Sequence, residues 1–149
     1  MLKRYVIALT AILWGCPGFA AEGMVNIASE YSVSETGDRL DKVLTKKGMT
    51  VFNRVQHSEA AAKVDINLRD TQVIIFGNPK VGSPLMACQQ TVAIDLPQKY
   101  LVWQDVSDQV WISYNDPAYL QKRHEIEGCD AVINKVAKAL LGMASAAAQ

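Results

Sequence analysis

Ten polar side chains in this sequence are of types that could bind or transform a ligand: His57, Asn78, Lys80, Asp95, Lys99, Asp105, Tyr114, Asp116, Tyr119 and His124. His57 could act as a general base with Asp95 or Asp116 orienting its ring, and His124 is the second acid–base candidate. Lys80, helped by backbone N–H groups of the Gly77 to Gly82 loop, could hold an anionic group. Asn78, Lys80, Lys99, Tyr114 and Tyr119 form the corresponding ligand-binding set. Ordinary structural roles account for the same residues more economically. Asn78 and Asp116 can satisfy turn backbone, Lys80 can pair with an acid, and lone histidines are usually structural or surface residues. Other chemistries lack their signatures. There is no Gly-x-Ser-x-Gly elbow, the glycines at 77 and 82 are not followed by the Lys-Ser/Thr of a phosphate loop, and the two histidines have no metal-ligand spacing. No metal and no cofactor are expected.

Several of these residues depend on one stretch, Ile74 to Met86, reading IIFGNPKVGSPLM. It reads as a buried strand, a constrained turn and a helix start. Gly77 and Gly82 permit unusual backbone, Pro79 pushes Asn78 out of the helical region, and Ser83-Pro84 has the form of an N-cap followed by proline at the first helical position. Lys80 is the one residue there that no backbone constraint calls for.

The compartment follows from the N-terminus and the cysteines. Residues 1–20 have a basic start at Lys3 and Arg4, a short apolar run and a small-residue end, the pattern of a cleaved secretory signal. The apolar run is too short to span a bilayer, so no transmembrane segment is expected after its removal. The protein is expected to be periplasmic or secreted. Leu13-Trp14-Gly15-Cys16 also resembles a lipoprotein box, which makes Cys16 a lipidation candidate and a lipid-anchored form the alternative. The mature part keeps thirteen basic and fifteen acidic residues, a formal charge of −2. It has no basic stripe, so no nucleic-acid partner is expected. Cys88 and Cys129 remain, and in an oxidising compartment a disulfide is the first expectation, worth roughly 4 kcal/mol by the loop-entropy model. Two buried thiols or a redox pair are the alternatives.

One domain is expected over residues 21–142, with a flexible tail over 143–149. Met24 to Tyr31 reads as a strand, and Ser32 with Glu35 as the capping box of a helix that Gly48 ends. Thr50 to Gln56 is a strand that delivers His57, with Ser58 capping a short alanine-rich helix. The unbroken Val73-Ile74-Ile75-Phe76 implies a central strand covered on both faces. Helix is expected from Pro84 to about Gln90, and Thr91 to Leu96 fits either a strand or a helical turn. Lys99 to Val106 and Gln109 to Asn115 form a hairpin. With Ser107-Asp108 at its centre, Leu101, Trp103, Val110, Ile112 and Tyr114 would face the core, leaving Trp111 on the opposite side to be covered by a loop, a ligand or a second subunit. Asp116-Pro117 starts a short helix, and the last helix is expected to stop at Gly142.

Phe76-Gly77-Asn78-Pro79-Lys80, followed by Gly82, Pro84-Leu85-Met86, Asp95-Leu96-Pro97, Trp103-Gln104-Asp105, Val110-Trp111, Tyr114-Asn115-Asp116-Pro117 and Tyr119-Leu120, resembles the bacterial and archaeal domain of unknown function family number 302. The ordered blocks run from about Ser32 to His124, departing at Gln56, where an acid is usual, and at Asp70, where proline is frequent. The resemblance implies an α+β fold, a bent antiparallel sheet with helices packed on one face in TBP-like β-α-β4-α order, and a tendency to form a homodimer. It implies no reaction, and the fold class carries no DNA-binding inference. The leading expectation is a module that binds a small or anionic ligand, or a protein partner, through the FGNPK turn. An acid/base or hydrolytic enzyme with His57 as general base, and a purely structural dimerising domain, are the alternatives.

Overall fold

The structure, a computed structural model, describes residues 21–149, so the signal segment and Cys16 lie outside the described residues. Five strands, β1 (Met24–Ser29), β2 (Thr50–Gln56), β3 (Thr71–Gly77), β4 (Gln98–Gln104) and β5 (Val110–Asn115), pair antiparallel in the order β1-β5-β4-β3-β2. The helices are α1 (Val33–Lys46), α2 (His57–Ala62), α3 (Pro79–Cys88), α4 (Pro117–Arg123) and α5 (Asp130–Ala148), with a 3₁₀ turn over Gln90–Ile94. This is the α+β class, with short helices inserted into the β-α-β4-α order. Helix α1 packs on β2, β3 and β4, while α5 packs on α1 and β1.

Helix α1 starts where Ser32 Oγ accepts the Glu35 N–H at 3.2 Å, and ends before Gly48, whose φ of +73° turns the chain out. Its stripe of Val33, Thr36, Leu40 and Leu44 is buried, each large apolar side chain contributing about 1.5–3 kcal/mol. Gly37 lies so close to β2 and β3 that a Cβ there would strike the Arg54 and Gln72 side chains. Gln72 is itself buried, with both its amide nitrogen and its amide oxygen hydrogen-bonded. Its Nε2 donates to Val33 O at 2.6 Å, and its Oε1 accepts from Arg54 at 2.8 Å and from Gln56 at 3.2 Å. The core continues through Ile74, Phe76, Tyr100, Val102, Ile112 and Tyr114. Phe76 stacks on Tyr100 at 4.7 Å, and the Tyr100 hydroxyl donates to Leu140 O at 2.7 Å. Cys88, at the end of α3, is bridged to Cys129, just before α5, with Cα atoms 6.4 Å apart.

Four expectations change. Along β3, Gln72, Ile74 and Phe76 are buried while Val73 and Ile75 are only half-buried, so helices cover one face and not both. In the hairpin, Leu101 pairs with Ser113 and Trp103 with Trp111, which centres the turn on Ser107. This one-residue slip puts Tyr100 and Val102 in the core and moves Leu101 and Trp103 to the open face, where Trp111 was expected. Ser58 caps no helix: α2 begins at His57, and Ser58 Oγ instead accepts the Thr71 N–H at 3.2 Å. Finally, residues 143–149 are not a free tail. Helix α5 passes through Gly142 to Ala148, because Met143, Ala144, Ala147 and Ala148 bury a further stripe, and Ala148 O accepts the Glu30 N–H at 3.0 Å.

Trp111 is tied to its own hairpin: its Nε1 donates to Asp105 Oδ2 at 2.8 Å. The other Asp105 oxygen accepts from Ser107 N at 2.8 Å and Gln109 N at 3.0 Å. The Trp111 hydrogen bond, then those to the backbone, holds the Asp105 carboxyl below its usual pKa. A carboxylate with a depressed folded pKa stabilises the fold fully above the unfolded value of about 3.9, and that stability is lost as pH falls through the folded value. Acid titration followed by tryptophan fluorescence should therefore show a Trp111 transition below about pH 4 that Asp105→Asn abolishes. An unchanged transition in that variant would remove Asp105 as its cause. For the helix end, a Cβ at Gly142 meets nothing within 4 Å. Gly142→Ala should raise stability by about 1 kcal/mol in denaturant unfolding, whereas a frayed tail predicts no change.

Candidate functional site

The end of β3 sets the position of α3. Asn78, extended at φ −147° and ψ 127°, is the N-cap: its Oδ1 accepts the Lys80 N–H at 2.9 Å, and Pro79 takes the first helical position. Its Nδ2 donates to Gly48 O at 2.7 Å, which ties the α1–β2 turn to the β3–α3 junction. The helix thus starts five residues before the expected Pro84. Ser83 is not an N-cap, and Pro84 lies inside α3, where it has no N–H to give the Lys80 carbonyl. Neither Gly77 nor Gly82 takes left-handed backbone. A Cβ at Gly77 would lie 3.2 Å from the ring of Phe52, which is itself exposed and would have to shift slightly to admit it. A Cβ at Gly82 would meet only Leu96 Cδ1, at 3.8 Å.

Helix α3 does not close on the core beneath it. Between α3, the 3₁₀ turn, the ends of β3 and β4, and α5 lies a cavity of about 410 Å³, within the range of small-molecule sites. Its walls include Phe52, Phe76, Val81, Leu85, Leu96, Val136, Ala139, Leu140 and Met143. Phe52 and Met86 also reach solvent. Polar groups are few. The Asn78 amide is already committed, and Gln98 Nε2 is buried with no hydrogen-bond partner.

A smaller hollow of about 220 Å³ lies at the same end of the sheet, lined by Met24, Val73, Asp95, Gln98, Lys99, Leu101, Ser113, Tyr114 and Asn115. Lys99 Nζ donates to Asp95 O and Pro97 O, both at 2.8 Å. Burial lowers the Lys99 pKa, and Asp95 partly opposes that. The Asp95 carboxylate faces other partners, His124 Nε2 at 2.6 Å and Arg123 at 3.3 Å. His124 Nδ1 lies 3.1 Å from Thr91 Oγ1. With both ring nitrogens engaged and 7% of its side chain exposed, His124 acts as a latch holding the 3₁₀ turn against α4.

Of the expected acid–base group, the structure joins only Asp95 and His124. His57 is exposed at the start of α2, beyond the Gln56–Gln72 pair, whereas Asp95 precedes Gln98, which pairs with Phe76 at the other end of β3. Asp116 caps α4 by accepting the Ala118 N–H at 2.9 Å. In the expected ligand set, Asn78 borders the large cavity, and Lys99 and Tyr114 the small one. Lys80 is exposed on α3 and lines neither, while Tyr119 packs on Gly23. Gln98 and Ala139 carry no signal in the sequence, and Leu96 is marked there only as part of the family resemblance. Apolar wall residues look like ordinary core, and nothing in the chain marks a glutamine whose amide will be left unpaired. Among the described residues, no group of three or more His, Cys, Asp or Glu side chains could hold a metal ion.

The model of the family described as "Domain of unknown function DUF302" matches residues 25–143, and the chain belongs to that family. A solved relative, an uncharacterized conserved DUF302 protein from Bacillus stearothermophilus, superposes with a TM-score of 0.77 over 85% of this chain and 99% of its own, at 17% identity. That likeness shows the fold. Proteins named fluoride-specific ion channel FluC 1 from Brucella suis biovar 1 and Brucella abortus biovar 1 are 42% identical over 104 residues, 70% of this chain. The matched region is 41% and 38% of those proteins, so this chain spans about two-fifths of the length of these relatives.

Proposed function

We propose that this domain is a small-ligand-binding module whose site is the cavity beneath the Asn78-Pro79 helix start. The observation that carries it is the cavity itself: about 410 Å³, walled almost wholly by apolar side chains and bordered by exposed Phe52 and Met86. A space of this kind suits an apolar molecule. It gives little support to a ligand recognised through Lys80, which lies outside it. The Cys88–Cys129 bridge supports an exported, periplasmic protein, since such bridges persist in oxidising compartments. The uncovered sheet face, with Leu101, Trp103 and Trp111, supports a homodimer formed there.

An acid/base enzyme is less well supported, because His57 stands apart from both proposed acids and His124 has no ring nitrogen to spare. Ion conduction, the activity named for the Brucella relatives, is less well supported as a reading of this domain. Among the described residues, α5 alone is long and apolar enough to cross a membrane, and Ile133, Val136 and Leu140 bury it in the core.

The test is titration with the apolar fluorophore N-phenyl-1-naphthylamine, comparing wild type with Gly82→Phe and Ala139→Phe, which fill the cavity from opposite walls. Saturable emission enhancement is expected for wild type, with a loss of about tenfold or more in affinity for either variant that keeps its cooperative unfolding. Equal binding by all three would place the probe elsewhere. Sedimentation of the wild type is expected to show a dimer, and a monomer at every concentration would remove the sheet-face contact.

A further inference from the structure

Charge is divided unevenly around the large cavity. Residues 42–58, 71–94 and 131–148 supply most of its wall. These segments hold Lys42, Lys46, Lys47, Lys80, Lys135 and Lys138 together with Arg54, whereas all fifteen acidic residues lie outside them. No basic stripe shows in the sequence because the fold draws these charges from separate segments. We propose that the mouth of the cavity is a docking face for an anionic lipid bilayer, with the lysines against the head groups and Phe52 and Met86 entering the acyl boundary. The assignment concerns the face, and it holds whether or not the cavity takes a ligand.

Three observations support it. First, the six lysines are exposed, and among the described residues none of them has an ion-pair partner. The acids that border the segments are occupied: Asp38 and Asp41 hold Arg54, and Asp95 is held by His124 and Arg123. Second, the fold brings the lysines to one end. The Asn78 bond to Gly48 O ties the turn that follows Lys46 and Lys47 to the start of α3, which carries Lys80. Met49 shares the cavity wall with Ala139 and Met143, so the middle of α5, which carries Lys138, lies beside that turn. Third, Phe52 and Met86 border the cavity and are 55% and 36% exposed. A soluble polyanion would satisfy the lysines and leave these two side chains in water. A bilayer covers them and presents the negative surface together.

Co-sedimentation with vesicles tests this, using phosphatidylcholine alone and phosphatidylcholine mixed with phosphatidylglycerol. Wild type should bind the anionic vesicles about tenfold or more tightly than the neutral ones, and added salt should weaken that binding. Two triple variants of equal net charge separate the face from total charge. Lys46→Glu/Lys47→Glu/Lys80→Glu alters the face, and Lys63→Glu/Arg69→Glu/Lys122→Glu lies away from it. They share one N-terminus, and the first should bind anionic vesicles about tenfold or more weakly than the second. Equal loss in both triples, equal binding of wild type to both lipids, or no binding to either would overturn the assignment. In wild type on anionic bicelles, doxyl-labelled lipid should broaden the Met86 methyl and spare that of Met24, which lines the smaller hollow on the open face of the sheet. This measurement needs no variant, so it decides if the first triple does not fold. A spared Met86 methyl would overturn the docking face and leave a soluble polyanion as the partner of the lysines. None of these failures bears on the binding of N-phenyl-1-naphthylamine in the cavity, which tests the ligand site separately.

Discussion

The side chain of Asn78 makes two hydrogen bonds on which the geometry of this domain turns. One caps α3 through the Lys80 N–H, and the other reaches back to the Gly48 carbonyl at the end of α1. A capping interaction is worth about 1 kcal/mol, but here it also sets the direction in which α3 leaves the sheet. With Pro79 fixing the first helical φ and the Cys88–Cys129 bridge fastening the far end, α3 is held at both ends over the edge of the core. It therefore cannot collapse onto the strands below it.

The hollow beneath α3 follows from that restraint together with small side chains. Protein interiors normally pack to crystal-like density, so a space of this size at a core edge calls for something that keeps it open. Gly77 admits the Phe52 ring, Gly82 leaves room toward Leu96, and Ala93 and Ala139 shorten the facing walls. On the other side of the segment Asp95 to Lys99, His124 and Arg123 anchor Asp95, which keeps the 3₁₀ turn in place as the outer wall. The polar residues that look most chemical in the sequence thus serve mainly to hold an apolar space.

Local signals in the sequence read well where one residue type has one physical job. The Ser32 cap, the Gly48 exit, the Asp116-Pro117 helix start and the boundaries of β2 are all where residue chemistry puts them. The failures share a different cause: competition between two adequate local solutions. Asn78-Pro79 and Ser83-Pro84 are both plausible helix starts, and the long-range bond from Asn78 to Gly48 decides between them. The hairpin register turned on whether Asp105 caps the turn, and its two backbone hydrogen bonds together with the Trp111 bond set it. Gly142 reads as a stop, but the buried alanines beyond it make continuing the helix worthwhile. The cavity was not legible at all, because a wall residue and a core residue have the same composition, and only the distance to the facing side chain distinguishes them.

The most direct measurement is methyl-resolved NMR during titration with N-phenyl-1-naphthylamine. A ligand in the cavity should shift the methyls of Val81, Leu85, Leu96, Val136 and Leu140, which line it, and leave Val73 and Leu101 on the open sheet face unmoved. Shifts confined to the open face, or none anywhere at saturating concentration, would contradict a ligand site beneath α3.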